Sequence, residues 1–92
     1  MAQFIDTDLG TRRAGDVVVV NLSGSAANVR LLDSSNFERY RRGDQHRYFG
    51  GLARKSPVRL VVPTADRWHV VVDMQGLRGT VRSSVQVVRE AS

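Results

Sequence analysis

Apolar residues in this chain fall in short runs with strand spacing, separated by turn residues. The longest pure apolar run, Val17-Val18-Val19-Val20, follows Gly15-Asp16 and leads on to Leu22. Its apolar side chains occupy both parities, which predicts a strand over 17–22 buried on both faces. Ser23-Gly24-Ser25 is turn chemistry. A strand over 28–33 then sets Val29 and Leu31 on one face and Arg30 and Leu32 on the other. Residues 58–62 form another, closed by Pro63. Over 68–73, Trp68, Val70 and Val72 share one face, which marks Trp68 as a core residue, while His69, Val71 and Asp73 share the other. Over 80–88, Val81, Ser83, Val85 and Val87 alternate with Thr80, Arg82, Ser84 and Gln86, the pattern of a strand with one wet face. Residues 3–9 are a weaker candidate for an edge strand. Valine supplies 15 residues and isoleucine one, and its β-branched side chain suits a pleated sheet.

One segment has helical spacing. Phe37, Tyr40 and Arg41 stand at i, i+3 and i+4 and share a face. Ser34 or Ser35 can cap this helix, with Glu38 three residues after Ser35 as in a capping box, and Gly43 can end it. Asp44 to Ser56 then reads as a loop with Gly50-Gly51 at its centre, and long loops are often functional. Two hairpins are expected. One joins the last two strands through the Gly-containing turn at 74–79, and the other joins the strands near 60 and 70 through Pro63-Thr64-Ala65-Asp66. The expected fold is mainly β, a small β-sandwich or partly open barrel of about six short strands with one short inserted helix.

Length and composition narrow the function classes. Ninety-two residues make one domain, with its core expected over about 4–88. The chain has no Cys, which excludes a disulfide framework, a zinc-thiolate site and a thiol nucleophile, and fits a reducing compartment. No run approaches the ~20 apolar residues of a membrane span, and the N-terminus lacks the pattern of a signal peptide. A soluble, cytoplasmic domain with no membrane partner is expected.

Charge informs by position. The chain carries 14 Lys and Arg against 9 Asp and Glu, a net +5. Residues 36–59 hold seven of the cations (Arg39, Arg41, Arg42, Arg47, Arg54, Lys55 and Arg59) and two of the anions (Glu38 and Asp44), so the whole net charge sits there. The same window holds four of the six aromatic residues, Phe37, Tyr40, Tyr48 and Phe49. Arginine with interleaved aromatics suits an acidic protein surface or a polyanion. Equally, Phe37 and Tyr40 can anchor the helix while the arginines solvate its outer face. Gly50-Gly51 can let a backbone approach a ligand closely, or can make a turn that packs Phe49 into the core.

Catalytic signals are weak. His46 and His69 are the only histidines and have no metal-ligand spacing. His69 and Asp73 share a strand face but stand roughly 13 Å apart along it. No serine lies in a G-x-S-x-G elbow, and neither phosphate-binding glycine motif is present. The sequence therefore points to no catalytic residue, no metal and no cofactor.

Several clusters recur in the order of a known family. They are Gly15-Asp16-Val17-Val18, Asn28-Val29-Arg30-Leu31-Leu32-Asp33, Ser35-Asn36-Phe37 with Tyr40 and Gly43, Arg47-Tyr48-Phe49-Gly50-Gly51-Leu52, Ser56-Pro57-Val58 and Trp68-His69-Val70-Val71-Val72-Asp73. Together they resemble the bacterial domain of unknown function family 1883 over residues 4–88. The sequence departs from the pattern just before Trp68, where Asp66-Arg67 stands in place of a usual Gly. The resemblance implies no catalytic residue. Fusion of some members to signalling domains of the Toll/interleukin-receptor type implies a recognition module.

The expected function is a non-catalytic binding or interaction module that uses a basic, aromatic-rich helix-loop face. Its candidate binding residues are Asn36, Tyr40, Arg41, Arg42, His46, Arg47, Tyr48, Arg54 and Lys55. A protein partner or an acidic ligand is the leading expectation. The alternatives are a nucleic-acid binder and a structural oligomerisation domain pairing through an edge strand.

Overall fold

Valine-rich segments pair into two antiparallel sheets in a computed structural model that describes residues 4–89. The elements are β1 (Phe4–Arg12), β2 (Val17–Gly24), β3 (Ala27–Asp33), α1 (Ser34–Arg42), β4 (Phe49–Ala53), β5 (Val58–Val61), β6 (Asp66–Asp73) and β7 (Val81–Val88). One sheet has the order β1-β6-β3-β4 and the other β5-β2-β7. The result is an open β-sandwich rather than a closed barrel. Among the described residues no helix is long and apolar enough to cross a membrane.

The core lies between the sheets. Trp68, Val70 and Val72 of β6 meet Val29 and Leu31 of β3 and Val18 and Val20 of β2 there. Trp68 is 2% exposed, as its parity predicts, and its indole Nε1–H donates to the Thr64 carbonyl at 2.9 Å. Leu9 joins this core through a bulge in β1 between Asp8 and Gly10. Gly10 takes φ 69° there, and its N–H donates to the Asp8 carboxylate at 2.8 Å. Val17 to Val20 are all buried. On the outer face of their sheet, Val17 and Val19 are flanked by Val61 and Val88 and by Arg59 and Gln86.

A second, smaller core lies on the other face of the four-stranded sheet. Leu32 and Val71 are covered there by Phe37 of α1, with Phe4 and Tyr40 against them. His69 stacks on Phe37 with ring centroids 4.0 Å apart and bonds Asp6 at 3.0 Å. Strand β6 is therefore buried on both faces, between a sheet and a helix.

Four expectations need correction. First, the segment 44–56 is not all loop, because residues 49–53 form β4, an added seventh strand. Gly50 and Gly51 read as turn residues, but Gly50 allows close pairing with β3. It has φ 114°, and a Cβ there would lie 2.3 Å from the Val29 carbonyl oxygen. Phe49, at 51% exposure, is not packed into the core. Second, the helix cap is Asp33 rather than Ser34 or Ser35. Its carboxylate accepts from the Asn36 N–H at 2.8 Å, and Glu38 pairs with Arg41 instead of closing a capping box. Gly43 ends the helix as expected, at φ 81°.

Third, neither expected hairpin forms. Strand β6 pairs with β1 and β3, whereas β5 and β7 both pair with β2, so each short connection crosses between sheets. A turn sequence tells where the chain reverses but not which sheet receives the next strand. Fourth, β1 runs to Arg12 and β6 begins at Asp66, so Asp66-Arg67 lies within a strand. Gln3, at the start of the expected edge strand, lies outside the described residues.

Trp68→Ala is expected to cost about 3–5 kcal/mol, because it empties the centre of the main core. Urea unfolding followed by circular dichroism checks the loss. The parent protein's Trp emission should be blue-shifted relative to its urea-unfolded form.

Candidate functional site

The outer face of the four-stranded sheet is only partly covered by α1. Antiparallel partners share a face, so the register places Asn28 and Arg30 of β3, Asp73 of β6, and Gly50 and Leu52 of β4 on the uncovered part. Gly50 stands opposite Arg30, so the β4 residue paired with it has no side chain to cover it. Tyr40 reaches this area from the last turns of α1. The chain after the helix brings His46 and Tyr48 beside it.

Asp73 is the fixed point of the group. Its side chain is fully buried and accepts four hydrogen bonds. The donors are the Tyr40 hydroxyl at 2.6 Å, the Asn28 amide at 2.7 Å, the Arg30 Nε–H at 3.1 Å and the Gln75 backbone N–H at 3.1 Å. Burial alone would raise its pKa. The hydrogen bonds from Tyr40, Asn28 and Gln75, with the Arg30 charge, outweigh burial and hold the carboxyl below its ordinary range. The same contact acts oppositely on Tyr40, whose hydroxyl is pushed well above the usual phenol range by burial and by its bond to the carboxylate.

Around this ion pair the aromatic rings form a wall. The Arg30 guanidinium lies over the Tyr48 ring, 4.6 Å from its centroid, and over the Tyr40 ring at 5.6 Å. His46 packs edge-on against Tyr40 at 5.1 Å and tilted against Tyr48 at 5.7 Å. Its Nδ1 lies 2.9 Å from the Asp44 carbonyl, which holds the ring in place. Asn36 fastens the loop to the helix by accepting from the Arg47 N–H at 2.8 Å.

The nine residues singled out from the sequence fall into four groups, with His46 shared by two. Tyr40, His46 and Tyr48 come together around Arg30. Asn36, His46 and Arg47 line an open polar groove of about 540 Å³ with Arg39 and Gln45. Arg41 and Arg42 lie on the solvent side, paired with Glu38 at 2.6 Å and with Asp44 at 3.4 Å. Arg54 and Lys55 are exposed, just beyond the end of β4. Among the described residues no ion pair involves Arg39, Arg47, Arg54 or Lys55, and no group of three or more His, Cys, Asp or Glu could hold a metal ion.

A family model for a domain of unknown function, DUF1883, matches residues 2–91. The chain belongs to this family. Neither a curated protein nor a solved structure matches it. In this DUF1883 chain the sequence reading missed Asn28, Arg30 and Asp73, which lie outside the basic window. A signal was present, since Asn28 and Arg30 share one parity of a valine- and leucine-rich strand and Asp73 ends another. What the sequence did not show was the pairing of those strands.

Tyr40→Phe removes one donor from the buried carboxylate and is expected to cost about 1.5–3 kcal/mol near neutral pH. The contribution of Asp73 is complete above its unfolded pKa of ~3.9 and is lost as pH falls through its lower folded value. That of Tyr40 is complete below its unfolded pKa of ~10 and is lost as pH rises toward its higher folded value. The stability gap between parent and Y40F should therefore narrow at both the acid and the alkaline end, as urea unfolding across pH would show.

Proposed function

We propose that this protein is a non-catalytic binding module that engages an acidic segment of a partner protein through β4 and the chain just before it. The carrying observation is a concentration of exposed apolar surface. Of the five exposed large hydrophobic residues among those described, Tyr48 and Leu52, at 40% and 49% exposure, lie together on the outer face of the sheet, while Phe49, at 51%, lies on the other face of β4 beside Trp68. Exposed cations flank them, Arg47 on one side and Arg54 and Lys55 on the other. Arginine and aromatic anchors ringed by polar surface are the usual makings of a protein interface.

The strand context supports the same reading. β4 is an edge strand paired only with β3, so its outer backbone groups are free of the ladder and can receive an extended segment. Acidic side chains on that segment would meet Arg47, Arg54 and Lys55, while apolar ones would lie on Tyr48 and Leu52. A platform for unpaired bases needs open aromatic faces, whereas one face of Tyr48 is already set against Arg30. A non-catalytic role is supported by the state of the buried acid. Asp73 accepts from four donors and is held ionised, which leaves it little capacity to take a proton from a substrate.

The test is a titration of the ¹⁵N-labelled protein with a peptide rich in glutamate and leucine, and with single- and double-stranded DNA and RNA, at low salt. The peptide should shift amides of residues 46–55, and Tyr48→Ala and Leu52→Asp should each weaken it with the fold unchanged. If nucleic acid binds instead, five phosphate contacts to a duplex predict a slope of log K against log salt of about −4.5. Affinity would then fall roughly 500-fold between 50 and 200 mM salt. That outcome replaces the protein-partner reading with a polyanion one. No binding of any probe at about 100 μM overturns both.

A further inference from the structure

Arg30 is held in an unusual way for a residue of a structural ion pair. Its Nε–H is the only guanidinium group spent on Asp73. Among the described residues, neither Nη nitrogen has a hydrogen-bond partner. No buried side-chain nitrogen or oxygen among those residues lacks one, so both Nη groups are open to solvent. The side chain as a whole is nevertheless only 15% exposed. The guanidinium plane is held by Asp73 at one edge and by the Tyr48 and Tyr40 rings against it, and Gly50 leaves the adjoining position on β4 without a side chain.

We infer that Arg30 forms a preorganised seat for a carboxylate, which docks on the outer Nη edge beside Tyr48. The chemistry follows from the shape. Two parallel N–H groups on a planar fork match the two oxygens of a planar carboxylate, giving charge-assisted bonds that a lysine cannot reproduce. The aromatic wall lowers the local polarity and fixes the fork, so little side-chain freedom is left to lose on binding. Asp73 already balances one unit of the Arg30 charge, which favours a singly charged planar anion over a phosphate dianion. The inference rests on the β4 reading for the source of the carboxylate, an Asp or Glu side chain of the docked segment.

The seat can be tested with acetate alone. The probes are sodium acetate, inorganic phosphate and, at equal ionic strength, sodium chloride. The readouts are the Arg30 Nε–H resonance and the Tyr48 ring resonances. Acetate should give a saturable shift at both, absent in chloride and weaker in phosphate. Arg30→Lys keeps the charge and should weaken acetate binding about tenfold or more through loss of the paired bonds. If R30K fails to fold, Tyr48→Leu leaves the Arg30–Asp73 bond in place and should still weaken acetate.

No saturable acetate shift at Arg30, or an equal shift in R30K or Y48L, overturns the inference, and stronger binding of phosphate overturns its carboxylate assignment. The acidic peptide separates the two levels of the argument. A peptide that binds β4 equally well in the parent and in R30K refutes the seat and leaves the β4 reading standing. Acetate seated at Arg30 without peptide binding refutes the β4 reading alone.

Discussion

A single buried carboxylate sets the geometry on which the outer face of this sandwich depends. Asp73 gives up its water shell at the end of β6 and is compensated from three directions, by β3 through Asn28 and Arg30, by α1 through Tyr40, and by the following turn through Gln75. An ionised group in such a place is tolerated only when its oxygens are filled. The requirement is strict enough to fix where the helix end lies over the sheet and which edge of the Arg30 guanidinium points inward. The positions of Tyr48 and His46 follow from it, since both pack on groups that Asp73 has already placed.

The same face shows a division of labour along one short helix. Phe37, on the side of α1 turned to the sheet, closes a small apolar core over Leu32 and Val71. Three residues later Tyr40 carries an apolar ring with a polar tip, and the surface changes from dry to charged. Beyond Tyr40 the helix stops at Gly43 and the sheet is left open. Coverage by nine residues of helix is too short to roof four strands, and the uncovered strip is where the arginine, the tyrosines and the exposed edge of β4 meet.

Much of this was legible in the sequence, and the exceptions share a cause. Parity along 68–73 placed Trp68, Val70 and Val72 in the core, and parity along 28–33 separated Val29 and Leu31 from Arg30. The helix and its glycine stop were legible because side-chain spacing and a left-handed C-terminal stop are local. Strand β4 was hidden because glycine marks both a turn and a strand that must come very close to its neighbour. The Asp33 cap was hidden because the residue was read only as the end of a strand. Both expected hairpins failed, and the Asp73 site was missed, for want of non-local pairing. Periodicity assigns a face to each residue but does not name the strand across from it.

The order of the strands in the four-stranded sheet carries a consequence for how the chain comes into being. β1 has one ladder partner, β6, which lies more than fifty residues later in the sequence. During synthesis from the N-terminus, β1 therefore waits unpaired until residues 66–73 have been made. β3 can meet β4 early, but Trp68, Val70 and Val72, which complete the core over Val18, Val20 and Val29, arrive together and late. Most contacts that hold the fold are distant in sequence, so few local contacts guide its assembly. In the interval the nascent polypeptide exposes a run of four valines to solvent, a hazard that its length alone would not suggest.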